Sequence, residues 1–174
     1  MKPTPRAFEM VPVSTPDGRL FRLSPGKYNA VQTAIIEQFA PRFVPGAVVL
    51  YLDDTNSKMS ASAQPVMTEL SIPQNWHNKL PSVVLWDQKR SWLFVIEAMT
   101  SHGPMSPQRL HELNTILKKC SAELLFISVF SDMDEFTDHL DEIAWQTHVW
   151  IADTPDHLIH FNGDKFLGPY KDGR

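Results

Sequence analysis

Residues 82–98 constrain the fold of this chain more than any other stretch. Two apolar runs, SVVLW (82–86) and SWLFVIEA (91–98), flank the polar tetrapeptide DQKR (87–90). Runs rich in Val, Ile, Trp and Phe on either side of a short polar turn form a β-hairpin. The rest of the chain must therefore be arranged around a sheet, and its pattern alternates helix with strand. Ser24-Pro25 offers an N-cap followed by Pro at the first helical position. Tyr28, Val31, Ile35 and Phe39 then recur at helical spacing, which predicts an amphipathic helix over 25–39, stopped by Pro41 and Pro45. AVVLYL (47–52), bounded by Gly46 and Asp53-Asp54, reads as a buried strand. Residues 55–64 read as a loop, and 65–70 as a short helix before Pro73.

Beyond the hairpin, Ser106-Pro107 repeats the cap-plus-Pro start, and Leu110, Leu113, Leu117 and Cys120 mark a helical stripe with Cys120 as a core residue. AELLFISVF (122–130) is a buried strand, followed by a helix with Phe136, Leu140 and Ile143 inward. THVWIA (147–152) and LIHF (158–161) are strand-like. Residues 1–23 are Pro-punctuated and hold the turn Thr15-Pro16-Asp17-Gly18 before a β-like RLFRL. With no internal repeat or dividing linker, the expectation is one domain over 1–174, with 1–22 as an N-terminal extension. The order α-β-β-β-α-β, then α-β-β, places the chain in the α/β class, with a mixed central sheet flanked by helices.

Composition narrows the functional classes. The single Cys120 excludes an internal disulfide and a multi-thiolate zinc site, which suits a reducing cytoplasm. No stretch approaches the roughly 20 apolar residues of a membrane span, and MKPTPRAFEM has no apolar signal core. A formal charge of −4 excludes a uniformly basic nucleic-acid coat but not a local site. The charge is uneven. Residues 1–46 carry six bases and three acids, whereas six acids crowd into 132–142, where they read as the solvated face of a helix. A polyanion is expected on the side of the N-terminal bases.

An αβββαβ core with acids at its second and third strands resembles the PD-(D/E)xK nuclease fold. The segments LSPGKYN (23–29), APRFVPGAVVLYLDDT (40–55), KLPSVVL (79–85), WLFVIEAMTSHGP (92–104), IAWQTHVWIADTPDHLIHFNG (143–163) and FLGPY (166–170) resemble the BsuBI/PstI type II restriction endonuclease family. The resemblance runs from about residue 20 to residue 170, over the family's C-terminal catalytic domain. Family members carry an additional N-terminal domain. The resemblance implies hydrolysis of double-stranded DNA at a short palindromic site, Mg²⁺ as cofactor, and a homodimer that matches the palindrome's symmetry.

Phosphodiester hydrolysis requires charge stabilisation on the phosphate and an activated water, which Mg²⁺ held by one or two carboxylates supplies. In the superfamily an Asp starts the second strand and an acid-x-Lys triplet ends the third. Here Pro81-Ser82 and Glu97-Ala98-Met99 occupy those places, so Ser82 stands where Asp is expected and Met99 where Lys is expected. Glu97 ends an apolar strand, where an acid is uncommon unless paired or metal-bound, and is the expected metal ligand. Asp54 is the expected second carboxylate; a turn-forming or capping Asp is the other reading. Ser82 is a neutral, poor anchor for Mg²⁺, either by natural drift or by an inactivating change, and weak or absent cleavage is expected. Lys58 or Lys79 stands in for the missing Lys, or each is a solvated surface residue. Directly after Glu97, TSHGPMSPQR (100–109) opens a helix whose exposed amides could hold a DNA phosphate; Ser101, His102 and Arg109 are its candidate DNA contacts. His157 and His160, three apart in a strand, face opposite sides and make a poor chelate. The remaining alternative is a non-cleaving DNA-binding or accessory protein on the same scaffold.

Overall fold

The computed structural model describes residues 11–53, 63–74, 79–99 and 103–161. Its centre is the expected hairpin: β4 (Val83–Asp87) and β5 (Trp92–Ala98) pair antiparallel, with Leu85 opposite Phe94. Four further strands complete a six-stranded mixed sheet, β3 (Val48–Leu52), β6 (Glu123–Phe130), β7 (Thr147–Ile151) and β8 (Leu158–Phe161), in the order β3-β4-β5-β6-β7-β8. The pairs β5–β6 and β6–β7 are parallel, the others antiparallel. Parallel neighbours need a crossover. The helix α4 (Pro107–Ile116) supplies the first and α5 (Met133–Asp138) the second.

Side chains alternate across the two faces of the sheet, as strand geometry demands. Val83, Leu85, Phe94 and Ile96 face a core closed by the long N-terminal helix, while Val84, Trp86, Leu93 and Val95 face α3 (Gln64–Glu69) and α4. A third cluster, around Phe130, Phe136 and Val149, fills the space beneath α5. A small hairpin, β1 (Val11–Ser14) with β2 (Leu20–Leu23), adds Val13 and Leu23 to the first core. Only its second strand was foreseen from the sequence.

Three local expectations are corrected. Ser24 does not cap the first helix: α1 (Lys27–Ala34) starts after Gly26, and the Ser24 carbonyl accepts from Asn29 Nδ2 at 2.8 Å. Nor does Pro41 stop it. The helix widens into a π turn over Ile35–Phe39, where the Ala40 amide donates to the Ile35 carbonyl, and resumes as α2 (Ala40–Phe43). The widened turn admits the ring as if at a helix start, where Pro's missing donor and fixed φ do no harm. Leu140 is 46% exposed. α5 ends at Asp138, and a 3₁₀ turn over Leu140–Glu142 breaks the periodicity that would have carried it inward.

Candidate active site

Glu97 is placed by strand alternation. Leu93 and Val95 face the α4 side, so Glu97, two residues on, faces it too. It is only 6% exposed. A buried carboxylate is costly unless paired, and the first turn of α4 provides the partner. Arg109 donates to Glu97 Oε1 from Nε at 2.8 Å and from Nη2 at 2.6 Å. Its Nη1 reaches Glu112 Oε2 at 2.7 Å, and Nη2 also contacts the carbonyls of Lys79 (2.9 Å) and Leu80 (3.3 Å). Lys79 Nζ completes the chain on Glu112 Oε1 at 2.8 Å. The Lys79 ammonium and the Arg109 guanidinium hold the Glu112 carboxyl below the usual carboxylate range.

The start of α4 is fixed from both sides. Ser106 Oγ accepts the Arg109 amide at 3.2 Å, the N-cap the sequence announced. The Met105 amide donates to the buried Ser128 Oγ on β6 at 2.9 Å. The Arg109 amide is thus engaged within the helix cap.

On the other flank stands Asp53, at the end of β3. Its carboxylate accepts from the hydroxyls of Tyr28 (2.8 Å) and Tyr51 (3.1 Å), and its carbonyl accepts from Gln32 Nε2. Burial, reinforced by the Asp53 charge, pushes both phenols above their ordinary range, so they stay protonated as donors. Between the flanks, Ser82 is buried and ties three strand ends together. Its Oγ accepts the Ala98 amide at 3.0 Å, its carbonyl accepts the Asp53 amide at 2.8 Å, and its side chain hydrogen-bonds Tyr28.

These residues enclose a cleft of about 630 Å³, lined by Asp53, Lys79, Glu97, Ser106, Arg109 and Glu112 among others. Of the residues expected from the sequence, Glu97, Lys79 and Arg109 line this cleft, and Ser82 adjoins it by bonding to Ala98 and Tyr28. Asp54, Lys58, Ser101 and His102 lie outside the described residues. The sequence reading missed Asp53 and Glu112. The signal for Glu112 was present, since three residues after Arg109 it shares a helix face. Asp53 carried none, because its bond to Tyr28 crosses from the end of β3 to α1 and follows a β-bulge between Val49 and Tyr51. His157 and His160 do not act together: His160 instead lies opposite His148 on β7.

Sequence and structure comparisons agree with this architecture. The family model described as the BsuBI/PstI restriction endonuclease domain matches residues 11–164. The chain belongs to that family. Within it, the type II restriction enzyme BsuBI of Bacillus subtilis is 38% identical over 161 residues, covering 92% of this chain and 51% of the relative. The type II restriction enzyme AplI of Arthrospira platensis is 28% identical over 153 residues, covering 83% and 47%. The solved structure of SdaI restriction endonuclease superposes with a TM-score of 0.85 at 40% identity, over 94% of this chain and 52% of that one. The chain therefore has the restriction endonuclease fold, and it spans about half the length of the relatives it matches. No helix among the described residues is long and apolar enough to cross a membrane.

Proposed function

We propose that this BsuBI/PstI family chain carries the catalytic site of a type II restriction endonuclease. It acts in the cytoplasm on double-stranded DNA at a short palindromic site, with Mg²⁺, as a homodimer. The observation that carries this reading is the cleft itself. Strands β3 and β5, on either side of β4, end with Asp53 and Glu97 on its two flanks, joined through Tyr28 and Ser82.

The donor set fits a hard divalent cation. Among the described residues, the acids lining the cleft are Asp53, Glu97 and Glu112, and no thiol or imidazole lines it. One buried acceptor, Gln32 Oε1, has no partner, and its own amide nitrogen bonds the Asp53 carbonyl. Glu97 and Asp53 are the residues that would hold the cation, with Asp54 as the further carboxylate expected from the sequence. When bound, Mg²⁺ supplies a lowered pKa for water and charge neutralisation on the phosphate. The chain supplies the rest. Tyr28 and Tyr51 fix the Asp53 carboxylate, Arg109 neutralises Glu97 until a cation exchanges with it, and the ammonium of Lys79, or that of Lys58, offers positive charge to the scissile phosphate. Ser101, His102 and the start of α4 are the proposed contacts to the DNA backbone.

Ser82 weakens this site. It contributes no charge where the superfamily places a carboxylate, so cleavage by this chain is slow or absent. An Asp in its place meets a donor already present, the Ala98 amide. Incubation of plasmid DNA with Mg²⁺ or Mn²⁺ tests the reading on the chain, on Ser82→Asp and on Ser82→Asp/Glu97→Ala. Discrete fragments from Ser82→Asp that disappear in the double variant are expected. DNA binding without cleavage by any of the three would favour a non-cleaving protein on a nuclease scaffold.

A further inference from the structure

The hairpin β7–β8 carries a second cluster of potential ligands, away from the cleft and two to three strands from Glu97. His148 and His160 are register partners on these antiparallel strands. Their Nδ1 atoms lie 2.6 Å apart, with the rings perpendicular and their centroids 4.7 Å apart. We propose that His148 and His160 form a binding site for a borderline transition-metal ion, of the Zn²⁺, Ni²⁺ or Cu²⁺ type.

Three features support this assignment. First, the two ring nitrogens face each other at 2.6 Å, and imidazole nitrogen is a preferred donor for these ions and not for Mg²⁺. Second, the backbone is pre-set. β7 is paired on both sides, with Ile127 of β6 beside His148, and the connection to β8 is tied by Trp150 Nε1 to the Pro155 carbonyl at 3.0 Å. Arg42 Nε holds the same connection through Asp156 at 2.7 Å. Third, His160 is exposed while His148 is half-buried, so an ion can enter from solvent without unfolding the edge strand. Without metal the two rings share one proton between their Nδ1 atoms. An ion takes its place once both rings adopt the Nε2–H tautomer and the exposed His160 ring swings away until the two nitrogens stand roughly 3.3 Å apart, with water filling the other coordination positions.

The experiment is calorimetric titration of untagged protein with Zn²⁺, Ni²⁺ and Mg²⁺ salts, on the native chain and on His148→Ala, His160→Ala and Glu97→Gln. Saturable binding of Zn²⁺ or Ni²⁺ by the native chain and by Glu97→Gln is expected. Either histidine substitution should weaken it by about tenfold or more, and Mg²⁺ heats should not depend on the histidines. Because His160 is exposed, His160→Ala tests the site even where His148→Ala fails to fold. Absence of Zn²⁺ and Ni²⁺ binding, or binding indifferent to His160, would overturn the assignment. The Glu97→Gln arm separates this site from the cleft.

Discussion

The two ends of the β4–β5 hairpin each bury a carboxylate against an arginine, and they use it differently. At the turn end, Asp87 is 7% exposed and pairs with Arg90, three residues on. Its Oδ1 also accepts the backbone amides of Lys89 (3.0 Å) and Arg90 (3.3 Å), and the Arg90 guanidinium lies 4.2 Å from the Trp92 ring centroid. Burial alone would raise the Asp87 carboxyl, but the bonds from Arg90 outweigh it and hold it low. Every one of those partners is local, and they close the turn. At the open end, Glu97 is as deeply buried, but its arginine comes from the next helix, twelve residues later, and both line a cleft. An acid bonded within its own turn stabilises a fold. An acid bonded across a cleft is placed where a ligand can exchange with its partner.

Opposite outcomes at the two acids would sharpen that contrast. In a Ser82→Asp background, Glu97→Gln should lower metal-dependent DNA cleavage on the order of a hundredfold or more. It should change the urea midpoint little, because Arg109 keeps Glu112 and two carbonyls. Asp87→Asn should do the reverse, leaving cleavage intact and costing roughly 1–3 kcal/mol in urea unfolding, since it weakens a buried, multiply bonded acceptor. Loss of cleavage in both variants would break the distinction.

Arg109 probes exchangeability more directly. A carboxylate oxygen accepting two guanidinium N–H groups has little capacity left for a cation. Arg109→Gln should therefore tighten Mn²⁺ binding by on the order of tenfold, read by titration, while the melting temperature falls modestly. Unchanged or weaker Mn²⁺ binding in a folded variant would mean that Arg109 supports the site instead of competing for it.

The smallest effect expected is on acid stability. The folded-state pKa values of Glu112 and Asp87 are both depressed, so their contribution is present above the unfolded carboxylate range near pH 4 and is lost as pH falls through the lower folded values. Glu112→Gln should flatten the fall of the urea midpoint below roughly pH 4.5. An unaltered acid limb would show that Lys79 and Arg109 stabilise Glu112 equally in the unfolded chain.

Much of the architecture was legible in the order of residues. The hairpin, the strands β3, β6, β7 and β8, and the Ser106 cap follow from local periodicity and capping chemistry, which act over a few residues. Glu97 was legible for the same reason, as an acid ending an otherwise apolar strand. The helix through Pro41 was not, because a π turn spreads the ring's clash over several residues, and packing of Ile35, Ile36 and Phe39 in the core outweighs the proline's local preference. Asp53 was hidden by a bond that crosses from the end of β3 to α1, and the His148–His160 pair by a register that no spacing along one strand can reveal.

By itself, then, the sequence determined most of the elements, the central hairpin, the family and one of the acids that line the cleft, since these depend on near neighbours or on recurring motifs. The tertiary structure decided that Asp53 stands across the cleft from Glu97, that Arg109 reaches back twelve residues to neutralise it, and that Ser82 binds three strand ends together. Those relations exist only after the α4 crossover and the β3 bulge have set their registers, and each depends on distances between residues that the chain brings together by folding.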